Sequence, residues 1–138
     1  MDTFAVTTLD FAKAYGIYIA VTGLAGLFAP DRWKLVMDDY AGSPGLTYLT
    51  AVIAFGLGIA LVTLHNLWTD PLAIIVSLIG WVVLVEGIML MALPEALLKF
   101  GAAAVASHGR VRAWAIFALI AGLILLAAAF TGRATVTA

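Results

Sequence analysis

Residues 72–93 have the sequence LAIIVSLIGWVVLVEGIMLMAL, and this stretch decides the fold class. It is long enough to cross about 30 Å of hydrocarbon, which takes roughly 20 helical residues. Three further apolar stretches meet the same requirement: Phe11–Ala29, Leu46–Leu64 and Val111–Phe130. A segment inside a bilayer must satisfy its own backbone hydrogen bonds, so each stretch is predicted to be a helix. The sequence therefore predicts an all-α membrane protein built as a bundle of four transmembrane helices.

The composition of the 138-residue chain agrees with this prediction. Apolar residues make up 64% and charged residues 11%, whereas soluble domains average about 45–50% and about 25%. These values exclude the soluble globular, disordered, collagen-like and disulfide-scaffold classes. The absence of cysteine excludes thiol chemistry, thiolate zinc sites and iron–sulfur clusters. A net charge of −1 gives no indication of a nucleic-acid partner, and the lipid bilayer is the expected partner.

The distribution of basic residues predicts the orientation in the membrane. Five of the seven Lys and Arg residues fall in the two longer connections, at Arg32, Lys34, Lys99, Arg110 and Arg112. The other two are Lys13 and Arg133. Because basic residues favour the cytoplasmic side, we expect a multi-pass protein of the bacterial inner (plasma) membrane with both termini and the turn His65–Pro71 outside, facing the periplasm. The first ten residues lack Lys and Arg, so the first stretch is predicted to be a retained span and not a signal peptide.

Both longer connections are predicted to contain a short helix in the membrane interface. In Pro30–Tyr40 the apolar and aromatic residues recur at spacings of three and four, and charged residues occupy the rest of the surface. Pro94–Phe100 repeats this pattern in a shorter form. A proline at the start of each segment suits the first turn of a helix.

The two halves of the chain also resemble each other at an offset of 64 residues. Residues that match at this offset include the pairs Gly16 and Gly80, Gly23 and Gly87, Pro30 and Pro94, Ala51 and Ala115, Ala54 and Ala118, and Gly58 and Gly122. We interpret the chain as one membrane domain, 1–138, with repeat one at about 10–69 and repeat two at about 74–133, although chance agreement is the alternative. Each repeat would comprise a span, an interfacial helix and a return span, with a pseudo-twofold axis along the membrane normal. The small residues are predicted to pack helices closely.

Glu86 is the main candidate functional residue because it occupies the position of Thr22 in the first half. A carboxyl group inside a span is costly, and such groups are frequently functional. Thr22, Tyr48 and Thr50 lie at levels suited to hydrogen bonds with it. One hypothesis is that Glu86 handles a proton, an ion or a ligand; the other is that a protonated or hydrogen-bonded Glu86 locks the bundle or an oligomer contact. Trp81, near the middle of the same span, is predicted to pack in a crevice or contact a ligand.

The outer turn supplies a second group of candidates. Asn66 is suited to closing the turn, Trp68 to the interface, and Asp70 to capping the next helix. His65 has no such routine explanation. One His and one Asp are fewer ligands than zinc or copper requires, so no metal site is predicted.

The sequence predicts no cofactor and no catalytic residues. His65 and His108 are expected on opposite sides of the membrane, which excludes their joint ligation of one haem. The chain has no phosphate-binding loop or nucleophile elbow. Ser77 and Ser107 are expected to lack an arranged histidine and acid, so serine hydrolase chemistry has no support in the sequence.

The pattern His65-Asn66-x-Trp68, followed by Ile79-Gly80-Trp81, Gly87 and Pro94, resembles a group of small bacterial four-helix integral membrane proteins. The overall plan is also similar to that of DoxX-like membrane proteins. The first resemblance brings no known activity. The second implies an accessory subunit of a membrane redox system, without transferable catalytic residues. The resemblance implies a basic residue at the position of Glu86, so this chain departs from it there.

Three hypotheses for function remain after these observations. The leading one is a non-enzymatic inner-membrane protein, a homo-oligomer or accessory subunit, that binds lipid or a hydrophobic small molecule. The second is an oligomeric transporter or channel in which Glu86 responds to protons or cations. The third is a subunit of a quinone-linked membrane redox system, which leaves the enzyme question open.

Overall fold

The computed structural model describes the backbone of residues 3–131 and the side chains of residues 8–131. This part of the chain forms six helices: α1 (Thr3–Phe28), α2 (Pro30–Gly42), α3 (Pro44–Leu64), α4 (Pro71–Ala92), α5 (Pro94–Ala104) and α6 (His108–Thr131). Four of them, α1 from Thr8 onward, α3, α4 and α6, are long and apolar enough to cross a membrane. The predicted all-helical class is therefore confirmed, and the four predicted spans correspond to these four helices. Arg133, used above for orientation, lies outside the described residues.

Prolines and polar caps fix where the helices begin. All four prolines of the chain stand at the first residue of a helix, where the missing N–H is not needed. Asp70 Oδ1 accepts a hydrogen bond from the Ala73 N–H at 2.9 Å, as its predicted capping role requires. Ser43 Oγ accepts one from the Leu46 N–H at 3.3 Å. The direction changes of the chain are thus encoded locally.

The four spans pack as two antiparallel pairs, the α1/α6 pair and the α3/α4 pair. Neither α1 with α3 nor α4 with α6 makes an extensive contact. The two pairs meet mainly where the beginnings of α1 and α4 lie side by side. There Ala12, Val76, Leu125 and Ala129 form a buried cluster. We call this the loop end, because residues 65–70 close it, and the opposite end, which carries α2 and α5, the short-helix end.

Glycines allow the helices of each pair to approach closely. A Cβ atom added at Gly23 would lie 2.5 Å from the backbone N of Leu119, and one added at Gly87 would collide with the backbone of Phe55. Added Cβ atoms at Gly58 and Gly122 would likewise meet the facing backbone. The close packing expected at these small residues is therefore present, in the form that helix association in lipid favours.

The short helices α2 and α5 lie across the short-helix end. α2 contacts α1, α3, α5 and α6, whereas α5 contacts mainly α4 and α2. Gly101 of α5 lies against Met37 of α2, since an added Cβ would be 2.6 Å from the Met37 Cε. No residue of α2 or α5 is fully buried, which suits helices in an interface. Two of the cavities between these short helices and the spans are large and mainly apolar.

Candidate ligand-binding cavity and loop-end network

The larger cavity lies on the α3/α4 pair and has a volume of about 450 Å³. This volume is within the range of about 300–1,000 Å³ that small-molecule sites occupy. It is half-open, and α2, α3, α4 and α5 all contribute to its walls. We call it the Glu86 cavity; its lining residues are Met37, Tyr40, Thr47, Thr50, Val82, Val85, Glu86, Met89, Leu90, Leu97, Leu98, Phe100 and Gly101.

Most of this lining is apolar, and its polar groups come from three helices. Thr47 Oγ1 donates a hydrogen bond to the Tyr40 carbonyl at 2.8 Å. Thr50 Oγ1 donates one to the Leu46 carbonyl at 2.9 Å and lies 3.5 Å from the Tyr40 hydroxyl. Glu86 is the only charged residue among the lining residues. Within residues 8–131 no ion pair involves Glu86, so its carboxyl group is available to a ligand.

The second cavity lies on the α1/α6 pair and has a volume of about 400 Å³. We call it the Trp114 cavity; its lining residues are Ile19, Thr22, Gly26, Trp33, Ala104, Val105, Val111, Trp114, Ala115, Phe117, Ala118 and Ala121. None of these described residues is charged. Thr22 Oγ1 donates its proton to the Tyr18 carbonyl at 2.8 Å. Apart from Thr22, the side chains that line this cavity are therefore apolar or aromatic.

Of the predicted partners of Glu86, the structure places only Thr50 in the same cavity. Thr22 lines the Trp114 cavity, because α1 packs along α6. Tyr48 is 60% exposed and lines neither cavity. It lies two residues from Thr50, which is about 200° around an α-helix of 3.6 residues per turn. Sequence reasoning placed Tyr40 on an interfacial helix without recognising it as a neighbour of this cavity.

Trp81 lies outside both cavities and has a structural partner. Its indole Nε1 donates a hydrogen bond to Asn66 Oδ1 at 3.2 Å. The Trp68 Nε1 donates to the same oxygen at 2.8 Å. Asn66 therefore accepts from both indoles, one in the turn and one in α4, which gives the N–H of Trp81 the partner that its place in a span requires.

His65, which sequence patterns left unexplained, is buried at the centre of a hydrogen-bond network. Its Nδ1 lies 3.0 Å from Ser77 Oγ, and its Nε2 lies 2.7 Å from Thr8 Oγ1. Ser77 donates its own proton to the Leu67 carbonyl at 2.7 Å, so it accepts from an Nδ1–H. The His65 Nε2 is then the acceptor of the Thr8 hydroxyl proton. The ring thereby connects α1, α4 and the loop, with the Phe11 ring packed against its edge.

The burial of this network affects both the pKa of His65 and the access of a substrate to Ser77. Burial lowers the pKa of His65, although a backbone hydrogen bond and the nearby Asp70 partly oppose this shift. The expectation that Ser77 lacks an arranged histidine is wrong, because His65 Nδ1 lies 3.0 Å from Ser77 Oγ. Ser77 is nevertheless fully buried, with its proton committed to a carbonyl oxygen. The pair thus holds the loop end together and is closed to a substrate.

A second histidine forms an ionisable contact at the opposite end of the bundle. His108, at the start of α6, contacts the Asp31 carboxylate of α2. His65 and His108 therefore belong to opposite ends of the spans. In the described part of the chain, no group of three or more His, Asp or Glu residues is arranged to hold a metal ion.

Comparisons of the chain with protein-family models, curated proteins and solved structures give no match. The resemblances noted from sequence motifs therefore stay expectations. The two cavities and the contacts around them are the features that bear on function.

Proposed function

We propose that this chain is a small membrane protein that binds a hydrophobic or lipid-like small molecule in the Glu86 cavity. The observation that carries the proposal is a half-open, largely apolar cavity that contains a few convergent polar groups. Such cavities are the usual form of small-molecule sites.

The place of the cavity along the spans favours an amphiphile. Glu86 precedes the end of α4 at Ala92 by six residues, or about 9 Å at 1.5 Å per residue. A ligand there has its polar end near the membrane interface. Its apolar part would contact Val82, Val85 and Leu97, which line the cavity. The short helices α2 and α5 cover it from the interface side.

The internal repeat and its pseudo-twofold axis form part of the same proposal. Their support is that contacts in one helix pair have counterparts in the other at an offset of 64 residues. Gly23 faces Leu119 as Gly87 faces Phe55, and the approach of Gly122 to Ala20 corresponds to that of Gly58 to Leu84. The cavities also correspond, since Thr22 and Glu86 occupy equivalent positions in their walls.

The proposed location is the bacterial inner membrane, with the short-helix end in the cytoplasm. Its support is that Arg32, Lys34, Lys99, Arg110 and Arg112 all belong to α2, α5 or the first five residues of α6, which agrees with the preference of basic residues for the cytoplasmic side. Assembly into a homo-oligomer, or with another membrane subunit, is proposed as well. Light-scattering mass in detergent checks the homo-oligomer.

Transport of protons or cations is the second candidate function. It is favoured by one observation, the carboxyl group of Glu86 inside a span without an ion-pair partner among the described residues. Flux into liposomes should then depend on pH and be lost in Glu86→Gln. Unchanged flux in Glu86→Gln would remove this candidate.

Binding of a neutral probe tests the proposed function. The probe is 8-phenyl-1-octanol, measured by equilibrium dialysis against phosphatidylcholine nanodiscs with and without the protein. Val85→Trp should fill the cavity and abolish the binding in excess of empty discs. Val21→Trp is the matched control, because Val21 is an exposed residue of α1 that lines neither cavity. Absence of excess binding to the wild type, or equal binding by both variants, would refute the proposal.

A further inference from the structure

We infer that the Glu86 cavity selects amphiphiles whose polar end is a single protonated amine. The inference deepens the proposed function and rests on it, because it names the class of ligand for the same cavity. It is carried by the charge of one lining residue, by the hydroxyl groups that line the same cavity and by the contrast with the Trp114 cavity.

The negative charge of Glu86 is complementary to the positive charge of a protonated amine. Glu86 is the only charged residue that lines the cavity, and the other walls are mainly aliphatic side chains. A carboxylate in such surroundings is costly unless a cation compensates it. Within residues 8–131 no Lys or Arg forms an ion pair with it. A ligand that brings one positive charge would supply the missing partner and gain a charge-assisted hydrogen bond.

The second argument is the number and kind of neighbouring groups. An ammonium group has three N–H donors and no acceptor. Besides the Glu86 carboxylate, the cavity offers the hydroxyl oxygens of Tyr40, Thr47 and Thr50. The Thr50 proton is directed to the Leu46 carbonyl, which leaves the hydroxyl oxygen as an acceptor. The Tyr40 and Phe100 rings also line the cavity, and aromatic faces attract organic cations.

The third argument is the contrast with the cavity on the other helix pair. The Trp114 cavity is similar in volume and is built from corresponding helices, but Thr22 stands where the Glu86 cavity has its carboxylate. The Thr22 hydroxyl donates within its own helix. A preference for cations is therefore expected of one cavity only, so substitutions at Thr22 provide a matched control.

The experiment compares 8-phenyloctylamine with 8-phenyl-1-octanol, which have the same carbon skeleton. Both are measured at pH 7.5 in neutral phosphatidylcholine nanodiscs, with empty discs subtracted. The wild type should bind the amine about tenfold more tightly than the alcohol, as expected for a hydrogen bond between charged groups. Glu86→Gln should remove this preference while keeping alcohol binding, and Thr22→Val should keep the preference.

The outcomes separate this inference from the proposed function. Equal affinities for both probes in the wild type, or a preference that survives Glu86→Gln, would overturn the selection of amines and leave the proposed function in place. Absence of binding of either probe would overturn both. If Glu86→Gln binds neither probe, Glu86→Asp decides, because it keeps the charge: it should still prefer the amine, and loss of that preference would refute the inference.

Discussion

The α1/α6 and α3/α4 pairs share one kind of close helix contact but carry different polar chemistry. In both pairs, glycines allow backbone contact between antiparallel spans. The α3/α4 pair and its loop contain Glu86, Thr50, His65 and Ser77, whereas positions 64 residues away have Thr22, Trp114, Ala129 and Lys13. The glycine contacts between helices are therefore independent of the polar residues that form the candidate site. Substitution of a contact glycine in either pair should lower the stability of the protein. Removal of polar groups should matter most in the α3/α4 pair and its loop.

The largest effects are expected where glycines bring helices together. Gly58→Ala and Gly122→Ala should each lower the free energy of unfolding by about 1–3 kcal/mol, because the added methyl group meets facing backbone. Unfolding in mixed detergent micelles containing dodecyl sulfate measures this change. Gly56→Ala is the control, since an added Cβ there has no neighbour within 4 Å. If only one of these two variants is destabilised, close glycine contacts do not stabilise both helix pairs.

The next largest effect is expected at the loop end. His65→Ala should cost about 1–3 kcal/mol in the same unfolding assay, because it leaves the buried Thr8 and Ser77 hydroxyls short of partners. His108→Ala should cost less than about 1 kcal/mol, because its contact with Asp31 is exposed. Equal losses of unfolding free energy in the two variants would show that the buried contacts of His65 do not stabilise the protein more than the exposed contact of His108.

The pH dependence of stability should follow from the same histidine. Burial lowers the pKa of His65 below its ordinary value of 6.5, so the folded state favours the neutral ring. The contribution of His65 to stability is then fully present above about pH 6.5. It decreases as the pH falls from 6.5 toward the lowered pKa of the folded state. Unfolding at a series of pH values should show this loss in the wild type. A slope that is unchanged in His65→Ala would assign it to another group.

The smallest effect is expected at the indole pair. Asn66→Ala removes the oxygen that accepts from Trp68 and Trp81. It should cost about 0.5–1.5 kcal/mol, as for a typical hydrogen bond, and should change the tryptophan emission. Asn66→Asp, which keeps an acceptor oxygen, is the matched control. Identical emission in all three proteins would show that the shared acceptor is absent in solution.

The sequence predicted the fold more completely than the site, for a physical reason. Spans, caps and short helices depend on local hydrophobicity and on residues such as Asp70 and the four prolines, so they are visible in one dimension. Which spans pack together depends on long-range contacts. For that reason Thr22 and Tyr48 were expected near Glu86, whereas Tyr40 was not. The partners of His65 come from α1 and α4, 57 residues and 12 residues away, and no local pattern signals them.

Photolabelling can show whether a ligand occupies the cavity on the α3/α4 pair. The probe is a diazirine-bearing analogue of 8-phenyloctylamine, crosslinked to the protein in phosphatidylcholine nanodiscs and mapped by mass spectrometry. We predict that the label falls on Val85, Met89 or Leu97, which line the Glu86 cavity, and that unlabelled amine suppresses it. Label on Trp33 and Trp114 of the other cavity, or label spread evenly over the lipid-facing surface, would show that the ligand does not bind in the Glu86 cavity.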